Sequence, residues 1–161
     1  MTEIVAARLV PAPPEAVFAF LADLANHWWL ATRFVEVVDL DPSVDGHGGG
    51  RVRVRGPLGL RRTALTRVEH ARTPQLVVGS ARVGRRTRAR VSWTLGARGA
   101  GTWVRLAATV ERASTLDRLL LRAGGRAWLE GRFAGTLARL DEIAIGESGA
   151  FERTRLGGYP A

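Results

Sequence analysis

Two side chains in this sequence have the chemistry to move a proton inside an apolar site, Glu130 and His27. Glu130 lies within the longest helical pattern of the chain, between the small residues Ala127 and Ala134. A carboxylate on an apolar helix face must be paired, hydrogen-bonded or protonated, and within a cavity it can act as an acid or orient a ligand. His27 precedes a pair of tryptophans, and an ordinary imidazole titrates near neutral pH. Both are candidates for catalytic residues.

A purely structural interpretation of both residues is favoured. Gly124 and Gly125 can break the helix and reset its phase, which moves Glu130 to the border of the apolar face. Arg126 precedes Glu130 by four residues, the spacing at which opposite charges pair along a helix. A lone imidazole beside a helix start is more often a solvated or capping residue than a base, and this is the structural interpretation of His27.

The remaining histidines do not indicate a metal site. His27, His47 and His70 are far apart in the sequence, no carboxylate accompanies them at metal-ligand spacing, and the chain has no cysteine. The Gly-x-Ser-x-Gly motif of hydrolases is also absent. We therefore expect no metal and no cofactor.

The helix that would carry Glu130 is predicted over residues 114–145. The pair Gly124 and Gly125 is interpreted as a hinge between a mobile gate, residues 116–123, and a packed anchor, residues 129–144. At about 100° per residue, the pattern predicts an apolar face made of Leu116, Leu119, Leu120, Ala123, Ala127, Phe133, Ala134, Leu137, Leu140 and Ala144.

The chain before this helix has the two-residue period of strands. A first strand over residues 2–10 ends at a proline-rich turn, and two short helices follow, the second with Asn26 as its predicted N-cap. Strands are then predicted over residues 34–40, 51–55, 60–68, 75–83, 87–95 and from about residue 103. Their alternation gives one apolar and one polar face, which is typical of an antiparallel sheet covered on one side. The direction of Arg62 is left open by this alternation.

Composition limits the class of protein. The 161 residues predict one domain over residues 1–145 and a flexible tail over residues 146–161. We expect a cytoplasmic protein without a membrane span, because no signal peptide or long apolar run is present. All 24 basic residues are arginine and the formal net charge is +9. The arginines are dispersed and are interpreted as the codon bias of a GC-rich genome, so nucleic-acid binding is not expected.

Several segments resemble the opening and hairpins of one superfamily. They are Val10 to Asp23, Asn26-His27-Trp28, Phe34-Val35-Glu36-Val37, Gly50-Arg51-Val52, the Thr73-Pro74 turn and Gly101-Thr102-Trp103-Val104. With the order of elements, they resemble the helix-grip fold of the START-like, or SRPBCC, superfamily, nearest to its bacterial polyketide cyclase/dehydrase-like group. The resemblance implies an α+β fold in which a curved antiparallel sheet of about seven strands wraps around a long C-terminal helix.

The same resemblance implies an apolar ligand, lipid-like or polyketide-like, held between the sheet and the C-terminal helix. Small residues on the predicted inner faces favour a cavity there. The residues predicted to bind the ligand are Trp28, Phe34, Ala89, Val91, Trp93, Leu106, Ala108, Ala127, Glu130 and Ala134.

Three functions remain open from the sequence. The first is binding of a small hydrophobic or aromatic molecule. The second is a polyketide aromatase/cyclase that catalyses aldol-type ring closure and dehydration, with Glu130 or His27 moving protons. The third is a non-catalytic interaction module with a filled core. The sequence does not decide between catalysis and binding, and it is compatible with a homodimer.

Overall fold

The computed structural model describes residues 2–41, 48–56 and 59–146. The first part of the chain forms β1 (Thr2–Val10), α1 (Pro14–Ala22), α2 (Leu24–Leu30), β2 (Val35–Asp41) and β3 (Gly49–Arg55). It continues through β4 (Arg61–Arg72), β5 (Leu76–Val83), β6 (Thr87–Arg98) and β7 (Gly101–Arg112). The C-terminal helical part consists of α3 (Thr115–Leu120), a π-helical turn (Leu121–Gly125) and α4 (Arg126–Gly146).

The strands form one seven-stranded antiparallel sheet in the order β1-β7-β6-β5-β4-β3-β2. On β6, Ala89, Val91 and Trp93 face the cavity while Arg88 and Arg90 are exposed on the other side. This alternation is what the sequence indicates for a sheet with one covered face. The predicted fold class, a curved antiparallel sheet with a long C-terminal helix and short helices after the first strand, is confirmed.

Strands β4 and β6 run several residues beyond their predicted ends. Among the added residues, Glu69 of β4 is charged and exposed and pairs across strands. Its Oε1 lies 3.4 Å from Arg88 Nη2 of β6. Charged residues on the wet face therefore do not end a strand whose other face is apolar.

The main core lies where α1 and α4 pack on the sheet. Leu137 and Leu140 of α4 are 1% and 0% exposed and cluster with Val17, Trp93 and Val104. Full burial of an aliphatic side chain stabilises the fold by about 1.5–3 kcal/mol. This cluster holds α4, and with it one wall of the cavity, against the sheet.

The second short helix begins earlier than predicted. Its N-cap is Asp23, whose carboxylate accepts a hydrogen bond of 2.9 Å from the Ala25 amide. Asn26 lies inside α2, and its Nδ2 donates to the Phe20 carbonyl oxygen. The prediction of an Asn26 cap was wrong. Asp and Asn are both good caps, and the helix starts three residues earlier, with Asp23 as its N-cap, while the Asn26 side chain bonds back to α1.

The predicted helix over residues 114–145 is divided in two. Ala123 leaves helical geometry and Gly124 adopts a φ of 102°, in the left-handed region that favours glycine. The phase of α4 is therefore reset relative to α3. The predicted apolar face was therefore partly wrong. Five of its residues are exposed: Leu116, Leu119, Ala123, Ala127 and Ala134.

Three predictions fall outside the described residues. They are the tail beyond residue 146, most of the loop that carries His47, and the middle of the turn between β3 and β4. Among the helices that the structure describes, none is long and apolar enough to cross a membrane.

Candidate functional site

The sheet and the helices enclose a cavity of about 350 Å³. Its walls come from the inner faces of the strands, from α2, and from the α3–α4 region. Most of the side chains that line it are apolar, including Val52, Ala64, Val77 and Leu106. The volume is within the range of sites for small organic molecules.

Most of the sequence-predicted ligand-binding residues are on this wall. The structure places these seven there: Trp28, Phe34, Ala89, Val91, Trp93, Leu106 and Ala108. They come from α2, β6, β7 and the residue before β2. The register of the strands and the packing of α2 on the sheet bring them together. Their contact with a ligand stays a prediction.

The remaining three predicted residues, Ala127, Glu130 and Ala134, lie elsewhere. None lines the cavity, and both alanines are exposed. Glu130 accepts a hydrogen bond of 2.9 Å from Arg126 Nε along the same helix. The physical reason is the break at Gly124, which turns α4 so that Leu129 and Phe133 face inward instead. Both structural alternatives for Glu130, the phase reset and the pairing with Arg126, are therefore seen.

His27 lies on the cavity wall and is not a solvated residue at a helix start. Its Nε2 is 2.5 Å from the Leu21 carbonyl oxygen, and its ring is 5.4 Å from that of Trp93. Burial lowers the pKa of His27 below its usual value of 6.5, against smaller raising effects of the Leu21 carbonyl and Asp23. The neutral imidazole is therefore the favoured form in the folded protein.

The Leu21 carbonyl also determines the tautomer of His27. A carbonyl oxygen only accepts, so Nε2 carries the proton and donates it in this hydrogen bond. In the neutral ring Nδ1 is then the basic nitrogen. An imidazole held in one tautomer beside an apolar cavity is suited to accept a proton or a hydrogen bond.

Trp28, the next residue, has an indole N–H that is buried without a hydrogen-bond partner among the described residues. Its ring is part of the cavity wall. Leaving such a donor unsatisfied costs about 1–3 kcal/mol. A ligand oxygen that reached this N–H would recover that free energy.

The strongest polar feature of the cavity is an ion pair at the end of the sheet where β4 begins. Arg62 shares its face of β4 with Ala64, Thr66 and Val68, and all four line the cavity. Its guanidinium pairs with Asp117 of α3. The Asp117 side chain is 10% exposed and that of Arg62 is 31% exposed. Arg62 therefore points inward, which the sequence left open.

Two hydroxyl groups complete the coordination of Asp117. Ser114 Oγ donates to Asp117 Oδ2 at 2.7 Å and accepts from the Asp117 amide at 3.1 Å, so Ser114 caps α3. The Thr87 hydroxyl also donates to Asp117 Oδ2 and accepts from the Ser114 amide. We call Arg62, Thr87, Ser114 and Asp117 the polar cluster.

Sequence reasoning missed the polar cluster. A signal for it exists, because Asp117, Leu120 and Leu121 share a helix face at spacings of three and four residues, and all three line the cavity. The apolar pattern instead favoured Leu116 and Leu119, which are 56% and 63% exposed. The leucines of α3 therefore point to opposite sides.

Gly79 forms part of the cavity wall in the middle of β5. A Cβ added to this residue would lie 2.5 Å from the Arg67 carbonyl oxygen of β4. The close approach of the two strands at this point requires glycine.

Among the described residues, no group of three or more His, Asp or Glu side chains is arranged to hold a metal ion. The polar residues that line the cavity include Arg62, Asp117, Thr87, His27 and Trp28, and also Thr66, Arg67, Ser80 and Thr136.

Comparison with known proteins identifies a family. Residues 1–144 match the model of the family described as polyketide cyclase / dehydrase and lipid transport. No protein with curated annotation matches the sequence at a significant level.

Several solved structures share the fold. TTHA0849 from Thermus thermophilus is 23% identical with a TM-score of 0.74, covering 92% of this chain and 100% of that one. Ara h 8.0201 is 12% identical with a TM-score of 0.60, covering 91% and 99%. The di-domain ARO/CYC BexL from the BE-7585A biosynthetic pathway is 20% identical with a TM-score of 0.58, covering 99% of this chain and 51% of that one. At these identities the likeness concerns the fold alone.

Proposed function

Because the chain belongs to the polyketide cyclase/dehydrase and lipid transport family, we propose that it binds a small apolar or aromatic molecule in the cavity between the sheet and the C-terminal helices. The observation that carries this proposal is the cavity itself, about 350 Å³ in volume and lined mostly by apolar side chains. A filled-core interaction module, the third function considered, would not leave such a volume open.

Burial of the ligand would supply most of the affinity. Apolar surface removed from water contributes about 25 cal/mol per Å², and the aromatic rings of Trp28, Phe34 and Trp93 offer flat walls. A planar ring system is thus favoured over a branched aliphatic one of the same size.

The polar groups select a neutral ligand that carries oxygen. Arg62 and Asp117 already balance each other's charge, so an ionised ligand would have to break this pair or be buried uncompensated. Trp28 Nε1 offers a hydrogen-bond donor that has no partner among the described residues. A carbonyl or phenolic oxygen on an otherwise apolar molecule fits this arrangement.

A fluorescent apolar probe tests the proposal. Ala89 lines the cavity from β6. Ala89→Phe should fill part of the cavity and weaken probe binding by about tenfold or more, because the larger side chain takes up volume that the probe needs and forces neighbouring side chains to shift. Ala7→Phe is the matched control, since Ala7 is exposed on β1.

The measurement is a titration of each variant with the probe, after circular dichroism has shown that each is folded. Native mass spectrometry with lipid extraction would then identify what co-purifies. A wild-type protein that excludes apolar probes, or equal losses in both variants, would contradict ligand binding in the cavity.

Cyclase activity is the second candidate, and the position of His27 favours it. A neutral imidazole with Nδ1 as its basic nitrogen lies on the cavity wall, and a base of this kind can remove a proton from a carbon next to a carbonyl group. Ring closure requires this step before the new carbon–carbon bond forms. Glu130 has no comparable position, since it pairs with Arg126 outside the cavity.

Turnover of a cyclisable poly-β-ketone substrate tests this candidate. His27→Gln should reduce the rate by about a hundredfold or more, the usual contribution of a general base. His70→Gln, on the exposed end of β4, and Glu130→Gln should retain it. Probe binding without turnover in the wild type would leave binding as the function and exclude this reaction for the substrate used.

A further inference from the structure

Six arginines surround the end of the sheet where α3 lies. The antiparallel order brings together, at this end, the start of β4, the turn between β5 and β6, the end of β7, and the α3 segment that follows it. The exposed arginines of these segments are Arg61, Arg85, Arg86, Arg112, Arg118 and Arg122. We call them the arginine rim.

None of the rim arginines forms an ion pair with an acid of the described residues. Several arginines on the outer face of the sheet do form such pairs. Arg90 pairs with Glu111, Arg105 with Glu3, and Arg53 approaches Glu36. Other strand arginines, Arg72 and Arg98 among them, have no ion pair among the described residues either. What distinguishes the rim is that six such arginines lie together at one end of the sheet.

Apolar side chains are exposed at the same end of the molecule. Leu116 and Leu119 of α3 are 56% and 63% exposed, and Leu60, next to β4, is 39% exposed. The inward face of α3 is already occupied by Asp117 and Leu120, so these outward leucines are not needed for the core. Exposed leucines beside unpaired arginines indicate a surface that meets another apolar and anionic body.

The cavity reaches this end of the sheet. Leu60, Val83 and Leu121 belong to its wall, and so do Arg62, Thr87 and Asp117 of the polar cluster. A body that docks on the rim would therefore contact elements that also form the cavity wall.

We propose that the arginine rim, with Leu60, Leu116 and Leu119, docks this protein on a lipid bilayer that contains anionic headgroups. Headgroup phosphates match the unpaired guanidinium groups, and the leucines can enter the acyl boundary as they do in interfacial amphipathic segments. An acidic protein surface would satisfy the arginines and leave three leucines without an apolar partner. Docking on the bilayer does not depend on the proposed function. Transfer of a ligand between the cavity and the bilayer would depend on it.

Vesicle sedimentation tests the docking surface with the full chain. Vesicles of phosphatidylcholine mixed with phosphatidylglycerol should bind the protein at low salt and release it at high salt, and vesicles of phosphatidylcholine alone should not bind it. Arg85→Glu/Arg86→Glu should weaken binding by about tenfold or more, because each arginine near an anionic surface contributes about fivefold to the partition constant.

Matched variants separate the rim from total charge. Arg72→Glu/Arg98→Glu makes the same change of charge at the opposite end of the sheet and should leave binding within about twofold after correction for net charge. Leu119→Ser should weaken vesicle binding, whereas Leu65→Ser, on the outer face of β4 and 43% exposed, should not. Circular dichroism and thermal unfolding establish that each variant is folded.

Three results would overturn the proposal: no binding to anionic vesicles, equal losses in the rim and opposite-end variants, or rim-dependent binding to an acidic polypeptide without binding to vesicles. The last result would assign the rim to an acidic protein partner. Failure of probe binding in solution alone would count against the proposed function and leave the vesicle result standing.

Discussion

Trp28 is the residue where burial and hydrogen bonding disagree most clearly. Its Nε1 is buried and has no partner among the described residues, while its ring lines the cavity. Buried donors in proteins are usually satisfied, and we propose that an oxygen atom of the ligand accepts this hydrogen bond.

Trp28→Phe tests this role, because it removes the N–H and keeps an aromatic ring. We expect affinity for a carbonyl-bearing aromatic probe to fall about two- to tenfold, the value of one hydrogen bond, while affinity for a hydrocarbon of similar shape changes less. Trp29→Phe is the control, since Trp29 is 49% exposed. Isothermal titration of the two probes gives the comparison, and equal losses for both would contradict a hydrogen-bonding role.

The lowered pKa of His27 makes stability depend on pH. Below about 6.5 the unfolded chain binds a proton at this residue and the folded protein resists it, so the free energy of unfolding should fall as pH decreases from 6.5 toward the lowered pKa. Above 6.5 the imidazole is neutral in both states and contributes no slope.

Urea unfolding of His27→Gln at several pH values measures this contribution. The difference in unfolding free energy between wild type and variant should shift in favour of the variant as pH falls through this window. His70→Gln provides the comparison at an exposed position. A constant difference between wild type and His27→Gln would mean that burial does not perturb this imidazole.

The C-terminal helices are held in two different ways. Leu137 and Leu140 anchor α4 in the main core, whereas α3 is fixed through the polar cluster, with Asp117 bound by Arg62, Thr87 and Ser114. The hinge proposed from the sequence falls between them, at Gly124. Because α3 is attached by polar contacts, we expect it to detach from the sheet without unfolding of the core.

Asp117→Ala should therefore release α3 selectively. It leaves Arg62 unpaired beside the cavity, and we expect a loss of about 2–3 kcal/mol, below the cost at a fully buried pair because Arg62 is partly exposed. Hydrogen exchange should accelerate in α3 and the π-helical turn and remain slow around Leu137. Glu130→Ala, which breaks an exposed helical pair, should cost about 0.3–0.5 kcal/mol and leave this exchange unchanged. Uniform acceleration along both helices would contradict the two-part attachment.

The kink depends on glycine at one position. Gly124→Ala forces a side chain into a φ of 102° and should destabilise the protein by about 1–3 kcal/mol. Gly131→Ala, in α4 with nothing near its added Cβ, should stabilise it by about 0.5–1 kcal/mol. Thermal unfolding of both variants measures these changes. A Gly124→Ala variant as stable as the wild type would indicate that the helix can continue without a kink.

At the scale of the whole molecule, the order of elements was predictable, and so were the inner faces of β3, β6 and β7, where a two-residue apolar period is clear. That period also located Ala89, Val91 and Trp93 on the cavity wall. The break at Gly124 and Gly125 was considered from the sequence, but the predicted apolar face assumed an unbroken helix. One glycine with positive φ rotates α4 and moves Ala127 and Ala134 outward.

The polar cluster escaped prediction for a related reason. Its ion pair joins Arg62 and Asp117, which lie on different elements far apart in the chain, and only the folded sheet brings them together. Apolar periodicity reports which face of an element is buried, but it carries no information on which polar groups meet there.

Ligand binding should stabilise the entire domain by mass action. A ligand present at a hundred times its dissociation constant adds about 2.7 kcal/mol to the unfolding free energy, which corresponds to a rise of several degrees in Tm for a domain of this size. Differential scanning calorimetry with planar neutral ketones and with their carboxylated analogues measures the preference. Larger shifts with the ionised analogues would contradict the selection of neutral molecules.

Gly79 has a consequence for how such a protein diversifies. A Cβ at this position would lie 2.5 Å from the Arg67 carbonyl oxygen. A larger residue at position 79 therefore cannot fill this part of the cavity unless β4 and β5 move apart. Ala64, Ala89 and Ala108 lie on the same wall, where glycine is not required. Substitutions that change the ligand, in evolution or in laboratory selection, should therefore accumulate at these alanines, while glycine is retained at position 79.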